Sequence, residues 1–236
     1  MSPPPPEAVV TLCRAAIFAA LLMLWGAALF RTRLSPEASR RHEASWLMAL
    51  ITATTMLLPA QTALLAGYWR EALRLESIWI IIDATSPGRS WLVLATLATF
   101  MTVAWCHRND NGIMVAGLGI MAGLSMTGHA AASDGMPGLL RQANDILHMA
   151  SAAAWLGALP HVLGLLPRLH EPGARETLMR YSGEGHFWVS MVMLTGLIST
   201  LWIFGGIPLD ASGRYTQLWW LKVLLVMGMS AAGSSR

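Results

Sequence analysis

Long apolar runs alternate along this chain with short charged or Gly/Pro-containing breaks, and a helix needs about 20 apolar residues to cross about 30 Å of hydrocarbon. Seven runs fit that description or approach it: Ala8 to Phe30, Ala44 to Tyr68, Trp91 to Cys106, Ile113 to His129, Leu139 to Leu166, His186 to Gly206, and a last one from Leu218. The fifth is long enough to tilt or to bend at Pro160. The seventh is cut off by AAGSSR after about 15 residues, short of the required length, so it is expected to be truncated and a final span to be missing. Trp69 to Ser90 is different: it mixes Arg70, Glu71, Arg74, Glu76, Asp83 and Arg89 with the short run IWIII. The pattern predicts an all-α, polytopic transmembrane bundle of about seven helices, one transmembrane domain over residues 1–236, with 69–90 as an interfacial or re-entrant connection.

Composition supports a lipid environment: 55% of residues are hydrophobic and 12% charged, against about 25% charged in soluble domains. The net charge of +3 is too small and dispersed for nucleic-acid binding. Cys13 and Cys106 form no CxxC, which excludes a disulfide framework or thiolate zinc site. MSPPPPEAVV lacks the basic start of a removable signal peptide, so the first run is expected to stay as an anchor. The loops after runs one, three and five carry Arg31, Arg33, Arg40, Arg41, Arg108, Arg168, Arg175 and Arg180; those after two, four and six carry Arg70, Arg74, Arg89, Arg141 and Arg214. That bias places the N-terminus outside, periplasmic in a Gram-negative cell.

Chemistry is expected in the hairpin 125–161, because an imidazole at membrane depth needs a hydrogen-bond partner or a metal that lipid does not supply. On a helical wheel Gly119, Ala122, Gly123, Met126 and His129 share a face, and Gly119 and Gly123 form a GxxxG that admits a neighbouring helix. Met126 and His129 are therefore expected to face protein. In the next run Asn144, Asp145, His148, Ser151, Ala152 and Trp155 fall in one arc. If the two faces meet, His129, Met126 and His148 share an outward-opening pocket, with Asn144 or Asp145 orienting the His148 ring through its other nitrogen. Trp155 can lend the pocket one indole hydrogen bond, and Gly157 reads as packing. Imidazole with thioether suits copper, whereas zinc more often recruits carboxylate or thiolate as well. A rise of 1.5 Å per residue sets His129 about 13 Å nearer the surface than His148, which favours two successive stations over one site. Gln61 and Thr62 are candidates to line a path, and His161 is a candidate exit residue. His42, His107, His170 and His186 read as solvated or interfacial. The absence of a P-loop, HExxH, GxSxG or CPC motif argues against an enzyme.

The hairpin also carries a resemblance. TGHAA (Thr127 to Ala131) and ILHMASAAAWLGAL (Ile146 to Leu159), followed by RYS (Arg180 to Ser182), LTGL (Leu194 to Leu197) and GRYTQLWWLK (Gly213 to Lys222), resemble the CopD copper-resistance family of bacterial inner-membrane proteins. The likeness runs from about Trp91 to the end and is one of topology before that. It implies a polytopic protein handling copper ions at the periplasmic face, beside a soluble CopC-like carrier, and moving copper into the cytoplasm. His129 and His148 correspond to the family's motif histidines, and Trp155 and Gly157 to its WxG. The chain departs from the family in ending on AAGSSR, where an Asn-Arg pair and a further span are usual. Two other readings stay open: a haem b-binding electron-transfer protein using His148 as an axial ligand, and a structural membrane subunit without metal.

Overall fold

The structure, a computed structural model, describes residues 3–126, 135–206, 213, 216–221, 223–225 and 228. Its helices are α1 (Pro6–Arg33), α2 (Glu43–Ala66), α3 (Leu75–Ala84), α4 (Ser86–Cys106), α5 (Asp110–Ser125), α6 (Gly135–Leu156), α7 (Leu159–Leu165) and α8 (Pro172–Phe204), with single 3-10 turns at Trp69–Glu71 and Leu166–Arg168. No strand occurs among the described residues. Among the described residues five stretches are long and apolar enough to cross a membrane: α1, α2, α4, the α6–α7 stretch Gly135–Arg168, and α8. α5 has 16 residues and packs between α1, α4 and α6.

Local chemistry sets the boundaries. α1 and α8 begin with Pro in the first turn, where the missing N–H costs no helical bond. The Thr85 hydroxyl accepts from Gly88 N at 3.1 Å and the Asn109 side chain from Gly112 N at 3.0 Å, capping α4 and α5. Gly67 and Gly205 close α2 and α8 with φ of +88° and +68°.

Several boundaries differ from the sequence reading. α4 starts at Ser86 rather than Trp91, because the Thr85 cap and Pro87 begin the helix before its apolar run does. α8 starts at Pro172, so Arg175 and Arg180 ride on helix instead of loop. The fifth run is broken rather than bent, with α6 ending at Leu156 and α7 resuming at Leu159; Pro160 has no N–H for the carbonyl four residues back. α6 also begins at Gly135, four residues before the expected Leu139, which sets His148 about 20 Å along it.

α1 is the hub, packed on α2, α5 and α6. Ile17, Leu21 and Leu24 of α1 are buried with Leu50, Met101, Ile113, Ile120 and Met121. α1 and α6 meet at Gly26 and Gly157, where a Cβ on Gly26 would stand 2.1 Å from the Ala153 carbonyl oxygen and one on Gly157 2.3 Å from that of Leu22. On α5 the tight glycine is Gly117, against Trp25, whose indole donates to the Met114 carbonyl at 3.0 Å. The GxxxG pair Gly119 and Gly123 lies against Leu97 and Val93 of α4. At the C-terminal end of α1, Arg31 is 2% exposed and ion-paired with Glu43 and, at 2.6 Å, with Asp110; Arg40 joins Asp110 at 2.8 Å, and the Trp105 indole donates to Glu43 at 3.0 Å. This knot ties α1, α2, α4 and α5 together at one end.

Candidate metal site

α6 carries two unlike faces. Ala150, Ala153 and Ala154 turn small side chains toward the buried core that α1 heads, and Gly157, just past the helix end, brings its backbone against α1. The opposite arc holds Asn144, His148 and Ser151, and the first two meet Thr195, Gly196 and Ser199 on α8. A polar stripe at helical spacing in an apolar helix finds its partners in a second polar stripe, since unsatisfied polar groups are costly in an apolar medium.

His148 is the centre of that seam. Its Nδ1 lies 2.8 Å from the Thr195 hydroxyl oxygen. That hydroxyl has a single proton, which it directs at the carbonyls of its own helix, 2.6 Å from Met191 O and 3.2 Å from Val192 O. Assigned from this network, Thr195 accepts from His148 and the ring carries its proton on Nδ1. Nε2 becomes the lone-pair nitrogen, the form in which an imidazole binds a metal. Gly196 lies beneath the ring, its built Cβ position 3.5 Å from His148 Cε1. One turn toward the start of α6, the buried Asn144 amide donates to the Thr195 carbonyl at 3.1 Å and to Ser199 Oγ at 2.8 Å. Ser151, fully buried, has a hydroxyl without a hydrogen-bond partner among the described residues. Arg141 sits over the Trp202 ring, 5.8 Å from its centroid. At the far end, Tyr181 donates to the Trp155 carbonyl at 2.9 Å, in place of the amide that the helix break removes.

The expected site residues fall in different places. His129 lies outside the described residues. His148 and Asn144 share the seam, but the ring is oriented by Thr195; Asn144 holds α8 beside it, and Asp145 stands a quarter-turn round α6, half-buried. Met126 is 63% exposed and lines a recess between α1, α2, α4 and α5 with Gln61, so the structure does not bring its thioether to His148. Thr62 is buried with its hydroxyl donated to Leu58 O at 3.0 Å. Trp155 bonds through its backbone carbonyl, and Gly157 serves the α1 crossing. His161 stacks on Phe30 with centroids 5.1 Å apart. Thr195 and Ser199 were missed by sequence reasoning; the signal for Thr195 was LTGL, which holds both the threonine and the glycine that face the ring.

Among the described residues no three His, Cys, Asp or Glu side chains gather as a metal cluster. Among the described residues the seam presents one imidazole, with the Thr195 hydroxyl on its Nδ1 and the Asn144 amide and Ser199 hydroxyl one turn away.

Comparison with known proteins gives a coherent set of relatives. The family model described as "Copper resistance protein D-like, N-terminal domain" matches residues 5–139. That is the half of the chain in which the sequence resemblance had been one of topology for the first 90 residues. The chain is 31% identical to "Inner membrane protein YebZ" of Escherichia coli (strain K12) over 234 residues, covering 90% of this chain and 77% of that protein. It is 28% identical to "Copper resistance protein D" of Pseudomonas syringae pv. tomato, covering 81% and 69%. Identity to "Copper transport protein CutJ" of Bacillus subtilis (strain 168) is 25%, over 94% of this chain and 44% of that protein. No solved structure matches.

Proposed function

Since the chain belongs to the copper resistance protein D family, we propose that it is a multi-pass inner-membrane protein that takes copper from the periplasmic face and passes it along the α6–α8 seam. The observation that carries this reading is the His148–Thr195 pair. It supports a tautomer with the proton on Nδ1 in an imidazole deep in a spanning helix, in which Nε2 is the nitrogen that can ligate. Copper is cargo here. Conduction needs sites that bind well enough to load and weakly enough to release, and a site with few ligands meets that condition better than a closed three- or four-ligand cage.

In this reading His129 is the first station and His148 the second. Met126, on the other side of α5, plays no part in the second. The N-terminus is periplasmic, which turns the start of α6 outward and the Arg31 knot inward. A soluble CopC-like carrier at the outer mouth is the partner that the family suggests. The chain's own residues supply binding and orientation, and no catalytic step is assigned.

The test is copper content of cells expressing wild type, His148→Ala and Thr195→Val, alongside metal analysis of the purified proteins. Uptake and bound copper should fall strongly in His148→Ala and in part in Thr195→Val, which keeps the ring but removes the acceptor that fixes it. Wild-type uptake in His148→Ala removes the seam from the route.

A further inference from the structure

At the end of the bundle where α1 begins, α1, α2, α4 and α5 enclose a recess of about 320 Å³, within the range of about 300–1,000 Å³ usual for small-molecule sites. Its walls are apolar, made by Ile17, Leu57, Leu94, Leu97 and Ile120. Its polar groups are few and lie at one height. Counted upward from the knot of Arg31, Glu43, Trp105 and Asp110 at 1.5 Å per residue, Arg14, Gln61, Ser86 and Met126 all come within about 5 Å of one another, whereas Leu97 lies about 15 Å below them. The recess is a polar mouth over an apolar well.

Two features of the mouth ask for a ligand. Gln61 is 6% exposed, and its Oε1 has no hydrogen-bond partner among the described residues. A buried acceptor left in that state is unfavourable, and a turn of the amide at the recess wall would bring it to a donor from outside the chain. Arg14 stands on a spanning helix, exposed, with no carboxylate partner among the described residues; a cation at that depth calls for an anion. The same cation opposes a bare metal ion in the recess, so Met126 beside it is a poor place for copper.

An occupant must therefore be anionic at one point, offer a donor next to it, and be apolar below. We infer that the recess binds one phospholipid: its phosphate on Arg14, a head-group ammonium or hydroxyl donating to Gln61 Oε1, and an acyl chain filling the well past Leu94 and Leu97. Guanidinium is the side chain best matched to phosphate, and a membrane supplies this ligand at high local concentration. The inference stands apart from the copper reading, since neither His148 nor Thr195 takes part.

Native mass spectrometry of the full chain in mild detergent, titrated with phosphatidylethanolamine or phosphatidylglycerol, tests it. Wild type should retain one lipid. Arg14→Gln, at an exposed position, and Gly123→Leu, which fills the well where an added Cβ meets its nearest neighbour at 3.9 Å, should each lower occupancy at least ten-fold, while His148→Ala leaves it unchanged. Lipid should also raise the melting temperature of wild type and not of Arg14→Gln. Equal occupancy in all variants overturns the inference. So does protection by inorganic phosphate alone equal to that by lipid, which makes this an anion site, or retention of Cu(I) alone that depends on Gln61 and Met126.

Discussion

The two faces of α6 solve opposite problems with the same helix. Toward α1 the contact is backbone on backbone: Gly157 lies so close to Leu22 that no side chain fits. Toward α8 the contact is made by side-chain hydrogen bonds at Asn144 and His148, with Gly196 giving the ring room. Dispersion and close approach set the first face, as in helix pairs joined by small residues. Polar satisfaction sets the second. A face of the first kind fixes where a helix stands, and one of the second kind can exchange partners, because hydroxyls and an imidazole can trade one hydrogen bond for another or for a metal. The rigid face holds the adaptable one in place.

Replacing Gly157 by Val attacks the rigid face and should have the largest effect, a destabilisation of about 3 kcal/mol or more from forced overpacking, seen as a lost or greatly lowered thermal transition in detergent. If Gly157→Val melts like wild type, the two faces do not differ as described. Thr195→Val acts on the adaptable face. It should weaken copper binding about 10- to 100-fold, as loss of a ligand's orienting partner does, with a stability cost of about 1–3 kcal/mol for the stranded Nδ1–H. Thr195→Ser should recover most of the affinity, and titration calorimetry or a chelator competition reads both. A double-mutant cycle on Asn144→Leu and Ser199→Ala should return a coupling of about 1 kcal/mol; a value near zero means the bond from Asn144 to Ser199 contributes nothing to the seam. Ser151→Ala should have the smallest effect, neutral or stabilising by up to about 1 kcal/mol, since its hydroxyl is buried without a partner among the described residues. A clear loss of copper uptake in Ser151→Ala would instead give that hydroxyl a role in the route.

Much of this was legible in the sequence, in proportion to how local the physics is. The apolar runs gave the spanning helices, and the 3.6-residue period put Asn144, His148 and Ser151 on one arc of α6. Helix ends were less legible. Hydropathy reads Arg175 and Arg180 as loop, while the backbone continues in helix from Pro172; the proline was the available signal and charge outweighed it. A wheel gives a face but not the helix that the face meets. Met126 and His148 each pointed at protein, and the structure gives them different partners. Thr195 stood in a recognised tetrapeptide, but nothing in the linear pattern said that its hydroxyl was 2.8 Å from an imidazole 47 residues away.

The break between α6 and α7 has a mechanical side. Once the chain leaves helical geometry after Leu156, the lower part of the hairpin is joined to the upper by a short hinge, and the Tyr181 hydroxyl on the Trp155 carbonyl pins that hinge to α8. Below it His161 rests on Phe30 as a stacked plate rather than in a socket. A rotation about the hinge would slide one aromatic plane over another and strain one phenolic bond, and it would have to pass through Gly157, which the close crossing with Gly26 holds at the break itself. The break thus gives up a helical amide and takes a phenolic hydroxyl in its place, so that α8 as well as α6 sets where the lower part of the hairpin stands.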